Sequence, residues 1–198
     1  MRAVATLKCG GVVAYPTETS YGLGASIEAE GALDRIYKIK RRPKDKPLLV
    51  IIKDASWLKG LVADIPAYSL PLMERFWPGP LTILFPARPG LPSSLCASTG
   101  KIGVRISSHP IAIALLDGLG SPITATSANL TGFPSLNTAQ EVMAQLVSPA
   151  PDFILDGGPS PGGLPSTIVD VTADSPVIVR QGAIGQGDIQ ALHAKGRV

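Results

Sequence analysis

Two cationic side chains stand close together at the end of a predicted helix. Apolar residues recur at helical spacing over 28–40, and Lys40 and Arg42 lie on either side of that helix end, before Pro43. A lysine supplies a point charge and an arginine supplies a planar fork of donors, so together they suit phosphate oxygens. Cations at a helix end also complement its dipole. The residues alone leave phosphate binding and this structural role equally open.

A polar segment follows the strand that apolar residues predict over 11–15. It contains Thr17, Glu18 and Thr19, and ligands of open α/β sheets bind beyond the carboxyl ends of strands. These side chains could therefore hold a small polar ligand. An ordinary turn-rich connection from a strand to a helix explains the same residues, and composition alone slightly favours it.

Further hydrogen-bonding side chains come after two other segments. Ser127 and Asn129 follow the strand predicted over 123–126, and Ser166 ends a loop rich in glycine and proline over 156–167. An asparagine side chain donates and accepts at once, which suits a nucleotide base or a phosphate. Turn formation is the alternative for each of them.

Two arginines interrupt apolar strands. Arg105 lies in the strand predicted over 102–106, and Arg180 ends the strand predicted over 177–180. Because an unpaired buried guanidinium is costly, each is expected to have a carboxylate partner or an anionic ligand. For either arginine alone, the residues favour an internal ion pair.

The positive charge of the chain is concentrated in one segment. The formal net charge is +3, but residues 35–46 hold seven basic side chains and one acidic one, so the other residues are net negative. Such a segment could be the contact surface of a nonenzymatic RNA-binding module. Only 5% of the residues are aromatic, which offers few platforms for base stacking.

Composition and motifs exclude several classes of protein. With 198 residues, 45% of them hydrophobic, the chain is expected to form one domain over 1–198. Two cysteines and two histidines provide neither a disulfide framework nor a zinc cluster, so no metal site is predicted. The P-loop, the dinucleotide fingerprint and the nucleophile elbow are absent from the sequence. Without a signal peptide or a membrane-length apolar run, a cytoplasmic protein is expected.

Strands and helices alternate early in the chain, and strands cluster late. This order predicts an α/β (α+β) domain with a mixed sheet flanked by helices. Thr138 and Glu141 form a predicted capping box, and Asp188 a predicted N-cap. The remaining predicted strands cover 48–52, 81–85, 153–155 and 168–171, and the remaining helices cover 67–76, 111–119, 139–146 and 189–194.

Taken in order, these segments resemble the YrdC-like threonylcarbamoyl-adenylate synthases, from about residue 9 to residue 184. The resemblance implies the YrdC-like fold and the short, single-domain branch of the family. It implies synthesis of threonylcarbamoyl-AMP from L-threonine, bicarbonate and ATP, with release of pyrophosphate. The product would serve the threonylcarbamoyl modification of tRNA adenosine through a downstream transferase complex. The motifs are Thr17–Gly24, Lys40–Pro43, Trp77–Thr82, Gly103–Arg105, Ser127–Asn129, Pro165–Thr167 and Arg180.

The resemblance also implies roles for individual residues. Lys40 and Arg42 would bind the nucleotide phosphates and act in catalysis, with Ser127, Asn129 and Arg180 also on ATP. Four residues would surround L-threonine, with the arginine on its carboxylate: Thr17, Thr19, Arg105 and Ser166.

The chain departs from the family pattern at two places. Ile51 stands where many members have a histidine, and Cys96 begins a segment that often reads Thr-Ala-Gly. The first departure leaves open a relative that forms carbamoyl-adenylate for another acceptor.

The implied chemistry needs positioning and charge neutralisation more than a covalent nucleophile. Mg²⁺ is expected on the triphosphate. Glu18 would act as a base or orient Thr17 and Thr19, and the sequence does not decide between these roles. The remaining basic side chains over 35–46 would form a solvated surface or a weak contact for tRNA.

Overall fold

Ten strands form the framework of the protein, and seven α-helices pack around them within residues 1–195, which the computed structural model describes. Side chains are described for residues 1–192. Two short 3₁₀ helices cover Ala55–Gly60 and Ala67–Ser69. The helices are α1 (Arg2–Lys8), α2 (Glu30–Lys40), α3 (Leu70–Phe76), α4 (Ser93–Cys96), α5 (Pro110–Leu119), α6 (Ala139–Gln145) and α7 (Gln186–Lys195). The strands are β1 (Val13–Pro16), β2 (Tyr21–Gly24), β3 (Val50–Ile51), β4 (Leu81–Pro86), β5 (Lys101–Arg105), β6 (Ile123–Thr124), β7 (Thr126–Ser127), β8 (Phe153–Ile154), β9 (Thr167–Asp170) and β10 (Val177–Arg180).

The strands form two sheets, and both mix parallel and antiparallel pairs. The smaller sheet has the order β7-β2-β1-β8, and only its β1–β8 pair is parallel. The larger sheet has the order β10-β9-β4-β5-β3-β6, with parallel pairs β9–β4 and β5–β3. An isolated bridge between Ser26, just after β2, and Ile123 of β6 connects the two sheets. The predicted α/β class with a mixed sheet and flanking helices is confirmed.

Alternation along the strands separates a core face from an open face. In β4, Leu81, Ile83 and Phe85 lie in the main hydrophobic core, while Thr82 and Leu84 face the opposite side. Helix α2 packs on the same core because its apolar residues recur on one face. Within the described residues, no helix has the length and apolar content that a membrane span requires.

The polar segment after β1 is a β-hairpin, so its interpretation as a connection to a helix was wrong. Strand β2 pairs antiparallel with β1, with Val13 opposite Gly24. A Cβ atom on Gly24 would lie 2.7 Å from the Tyr15 ring. The glycine therefore lets the Tyr15 side chain cross the hairpin, and the Tyr15 hydroxyl reaches the Thr124 carbonyl at 2.9 Å.

The other differences from the predicted elements concern one strand, two helices that were not predicted (α1 and α4) and the bounds of others. The strand predicted over 123–126 is divided between β6 and β7, which belong to different sheets. Helix α1 was missed, because its segment was considered only as a possible signal peptide. Helix α7 begins at Gln186, so Asp188 lies in its first turn and is not its N-cap. Helix α2 ends at Lys40 as predicted but begins at Glu30, two residues later than predicted, and Arg41 at its end adopts a left-handed conformation with φ 49°.

The predicted capping box of α6 is confirmed, and it generates a stability prediction. The Glu141 N–H donates to Thr138 Oγ1 at 3.2 Å, and the Thr138 N–H donates to Glu141 Oε2 at 3.0 Å. We expect Thr138→Ala to lower the free energy of unfolding by about 1 kcal/mol in urea denaturation. Gln140→Ala, an exposed change in the same turn, is the control and should cost less than about 0.5 kcal/mol. Equal losses in the two variants would contradict the role of the cap.

Candidate active site

A cavity of about 490 Å³ lies between the two sheets. One wall comes from β2 and β7 of the smaller sheet, and the other from the open face of the larger sheet. Eight of the nine residues predicted from the sequence line it, which leaves Lys40 outside its wall. They are Thr17, Thr19, Arg42, Arg105, Ser127, Asn129, Ser166 and Arg180.

Three guanidinium groups converge on this cavity from separate elements. Arg42 follows α2, Arg105 ends β5 and Arg180 ends β10. Burial lowers the pKa of Arg180, and the positive charges of Arg105 and Arg42 lower it further. Because like charges close together disfavour one another's charged forms, this cluster of positive charge makes the cavity suitable for an anion.

Arg105 has one ionic partner and free hydrogen-bonding capacity. Its residue is only 6% exposed, and its Nη1 lies 3.3 Å from Glu18 Oε1. This is the carboxylate partner expected from the sequence. Among the described residues, the Arg105 guanidinium donates no hydrogen bond with good geometry, so its N–H groups remain available to a ligand in the cavity.

Arg180 is held by a hydroxyl residue and not by a carboxylate. Its Nη2 donates to the Ser166 carbonyl at 2.7 Å and to Ser166 Oγ at 3.0 Å. No carboxylate of the described residues lies within salt-bridge distance of it, so the expected internal ion pair is absent there. Thr82 Oγ1 lies 3.0 Å from Ser166 Oγ and fixes the same serine from β4. Sequence reasoning gave Thr82 no role of its own, although a threonine between Leu81 and Ile83 in a predicted apolar strand was the available signal.

The threonine hydroxyl groups of the hairpin turn form hydrogen bonds within the turn itself. Thr17 Oγ1 donates to the Ser20 carbonyl at 2.6 Å and lies 3.1 Å from Thr19 Oγ1. Glu18 bonds neither threonine side chain, so the described contacts do not support the alternative in which it orients them. Its Oε2 instead accepts a hydrogen bond from Ser107, which sequence reasoning missed.

Lys40 is buried, contrary to the expectation of an exposed helix end. It is 1% exposed, and its Nζ donates to the carbonyls of Ser127 and Asn129 and to Asn129 Oδ1 at 3.4 Å. The Lys40 carbonyl also accepts from the Thr131 N–H at 2.8 Å. Asn129 Nδ2 in turn donates a hydrogen bond to the Phe133 carbonyl at 2.7 Å. Lys40 therefore anchors the segment that carries Ser127 and Asn129 to the cavity.

The basic side chains of residues 35–46 lie in different environments. Arg35 pairs with Asp152 at 2.7 Å and Lys44 pairs with Asp34 at 2.7 Å. Among the described side chains, the cations of the segment on the cavity wall are Arg42 and Lys46. The Arg42 Nε and Nη2 atoms donate to the Lys46 and Pro47 carbonyls, each at 3.0 Å. The segment is thus divided between surface ion pairs, a buried anchor and the cavity.

The two departures from the family pattern have different positions. Ile51 lines the cavity and is paired in register with Arg105 on β5, so an apolar side chain stands beside that guanidinium. Cys96 ends α4 and does not belong to the cavity wall as the described residues form it. Only the departure at Ile51 therefore changes the surface that a ligand would meet.

A three-ligand metal cluster is absent from the described residues. Asp45 is the carboxylate that the described part of the chain places on the cavity wall. The donor set therefore suits a metal ion that arrives on the phosphates of a nucleotide, and does not suit a resident ion in a carboxylate cage.

Comparisons with known proteins identify the family. Residues 5–182 match the Sua5/YciO/YrdC family, whose description is "Telomere recombination". The chain is 42% identical to a threonylcarbamoyl-AMP synthase of Bacillus subtilis, over 96% of this chain and 55% of that protein. It is 38% identical to a synthase of the same name from Klebsiella pneumoniae, over 91% of this chain and 94% of that protein. The chain belongs to the Sua5/YciO/YrdC family.

A solved structure has the same fold. The Pyrococcus abyssi Sua5 structure in complex with L-threonine superposes with a TM-score of 0.92 at 37% identity, over 96% of this chain and 56% of that one. The chain spans about half the length of the first curated relatives, between 49% and 57%.

The burial of Lys40 predicts a dependence of stability on pH. Burial, and then the charge of Arg42, lower the pKa of Lys40 from 10.5 to about 7 in the folded protein. Between these values the unfolded chain binds more protons than the folded one, so Lys40 makes stability rise with pH. Below about pH 7 the lysine is charged in both states and the contribution disappears.

We expect Lys40→Met to remove this rise, which amounts to at most about 1.4 kcal/mol per pH unit. The measurement is urea denaturation of both proteins at several pH values between 7 and 9. Lys38→Met, at an exposed position of the same helix, should keep the wild-type slope. An unchanged slope in Lys40→Met would show that Lys40 titrates alike in both states.

Proposed function

We propose that this protein forms L-threonylcarbamoyl-AMP from L-threonine, bicarbonate and ATP, with release of pyrophosphate. The observation that carries the proposal is the convergence of Arg42, Arg105 and Arg180 on one cavity. Relatives that bear the name of this synthase support it, and the Klebsiella pneumoniae protein supports assigning the activity to residues 1–198 as one domain, since the chain covers 94% of it.

L-Threonine binds in this proposal through Arg105 and the hydroxyl groups around it. The unused N–H donors of Arg105 match a carboxylate, and a paired fork is the strongest form of that contact. Thr17, Thr19 and Ser166 surround the amino acid. The Pyrococcus abyssi Sua5 structure with bound L-threonine supports this choice of ligand.

ATP occupies the remainder of the cavity, with its phosphates near Arg42 and Arg180 and with Ser127 and Asn129 alongside. The amine of threonine combines with bicarbonate to give a carbamate and water. A carbamate oxygen then attacks the α-phosphorus, and pyrophosphate leaves. The guanidinium groups neutralise the charge that spreads over the phosphate oxygens.

Lys40 takes an indirect part in this scheme. It holds the carbonyls of Ser127 and Asn129, and thereby positions their side chains toward the nucleotide. Mg²⁺ enters with ATP, bound by phosphate oxygens and water. The product would pass to a transferase complex that modifies tRNA. Lys38 and Arg41, which are exposed and do not line the cavity, are left for a weak tRNA contact.

Pyrophosphate release tests the proposal directly. We expect release from ATP that requires both L-threonine and bicarbonate, and that stops when either is omitted. Release that needs bicarbonate but does not depend on threonine would instead identify a carbamoyl-adenylate synthase for another acceptor. The apolar Ile51 beside Arg105 is the reason for testing this alternative. Salt-sensitive RNA binding without any release would identify a nonenzymatic RNA-binding module.

Adjacent arginines provide a matched pair of variants. Arg42→Ala should lower kcat/KM for ATP by about 100-fold or more, because a charge-neutralising contact to the phosphates is lost. Arg41→Ala removes the same side chain one residue earlier, where Arg41 is exposed and does not line the cavity. It should retain near-normal turnover. The two rates are measured by pyrophosphate release, and similar losses would contradict the assignment of Arg42.

A further inference from the structure

Glu18 lies between two residues of the proposed threonine site but does not itself line the cavity. It stands in the hairpin turn between Thr17 and Thr19, which both line the cavity, whereas Glu18 is absent from the described residues that form the wall. Its side chain is 13% exposed. Its buried Oε1 atom has no hydrogen-bond partner, and the nearest cation is Arg105, 3.3 Å away.

The other carboxylate oxygen is fixed from the opposite side. Glu18 Oε2 accepts a hydrogen bond from Ser107 Oγ. Ser107 Oγ in turn accepts from the His109 N–H at 3.2 Å, so the single proton of the serine hydroxyl is directed to Glu18. His109 Nδ1 accepts from the Ile111 N–H at 3.2 Å in the first turn of α5. These links connect the Glu18 carboxylate to the start of a helix.

This arrangement is unsuited to general base catalysis. A general base must come within about 2.6–3.2 Å of the atom whose proton it removes. One oxygen of Glu18 faces Arg105 and the other faces Ser107, and the side chain does not reach the cavity wall. What the contacts do provide is a fixed countercharge behind the Arg105 guanidinium.

Arg105 needs such a countercharge. Its guanidinium is buried beside two other cations of the cavity, and it donates no hydrogen bond of good geometry to the described residues. A buried guanidinium without a partner is costly and would turn toward solvent or another carboxylate. The Ser107-held carboxylate offsets that cost while leaving the N–H donors free for a ligand.

We propose that Glu18, oriented by Ser107, is a positioning residue that fixes Arg105 for the carboxylate of the amino-acid substrate. This inference rests on the proposed function, since it takes L-threonine as the ligand of Arg105. It assigns the two residues to amino-acid affinity and excludes them from proton transfer.

The experiment separates affinity for the amino acid from the chemical step. Calorimetric titration gives the Kd of L-threonine and of ATP, and pyrophosphate release gives KM for threonine and kcat. We expect Glu18→Gln to raise the Kd and KM of threonine by about 10-fold or more, with the Kd of ATP unchanged and kcat lowered much less. Ser107→Ala should give a smaller shift in the same direction, and Ser107→Thr, which restores a hydroxyl, should recover most of it.

Glu30→Gln, an exposed change in the first turn of α2, is the control and should leave all four quantities unchanged. A fall in kcat at constant threonine KM would overturn the proposal in favour of a catalytic base. Threonine affinity that is unchanged in both variants, or lost together with ATP affinity, would also overturn it. If Glu18→Gln does not fold, Ser107→Ala decides. Wild-type protein that binds no L-threonine would overturn the proposed function itself, and this inference with it.

Discussion

The convergence of three guanidinium groups on one cavity is the constraint that the surrounding structure has to satisfy. Arg42, Arg105 and Arg180 repel one another, and burial lowers the pKa of Arg42 and of Arg180. Each is held by a different device: backbone carbonyls hold Arg42, Ser166 holds Arg180, and a carboxylate faces Arg105. Among the described residues, only Arg105 has a carboxylate within salt-bridge distance, so the site has an excess of positive charge that suits an anionic ligand.

The two sheets make this convergence possible because strand residues alternate between faces. Thr82 and Leu84 stand on the open face of β4, whereas Ile83 and Phe85 belong to the core. Gly103 lies on the neighbouring strand, where a Cβ atom would come within 2.4 Å of Leu49. Because glycine lacks that atom, the side chains of Leu49 and Leu84 can pack directly against the backbone of β5. One face of the larger sheet therefore packs into the hydrophobic core, and the opposite face lines the cavity.

Local patterns predicted the elements better than they predicted the contacts of the polar residues. The capping box at Thr138 and the strands with continuous apolar runs follow from rules that act over a few residues. Strand β2 was missed because glycines occupy every second position, at Gly22 and Gly24. Glycine is typical of turns, so the segment lacks the side-chain pattern that predicts a strand. The roles of Glu18 and Ser107 depend on a contact between residues 89 positions apart, which no local pattern records. The family motifs identified eight residues that line the cavity, but they did not show that Lys40 would be buried behind its wall.

Lys40 and Arg42 show how one backbone conformation separates two neighbouring cations. Lys40 follows Ile36 by one helical turn, so it lies on the buried face of α2 and its amine reaches carbonyls beneath the cavity. Arg41 then adopts positive φ and ends the helix, which turns the chain before Arg42. Arg42 consequently leaves the helix toward the cavity wall. The two neighbouring cations are thus divided between a buried position, where Lys40 bonds carbonyls, and the cavity wall, which Arg42 lines.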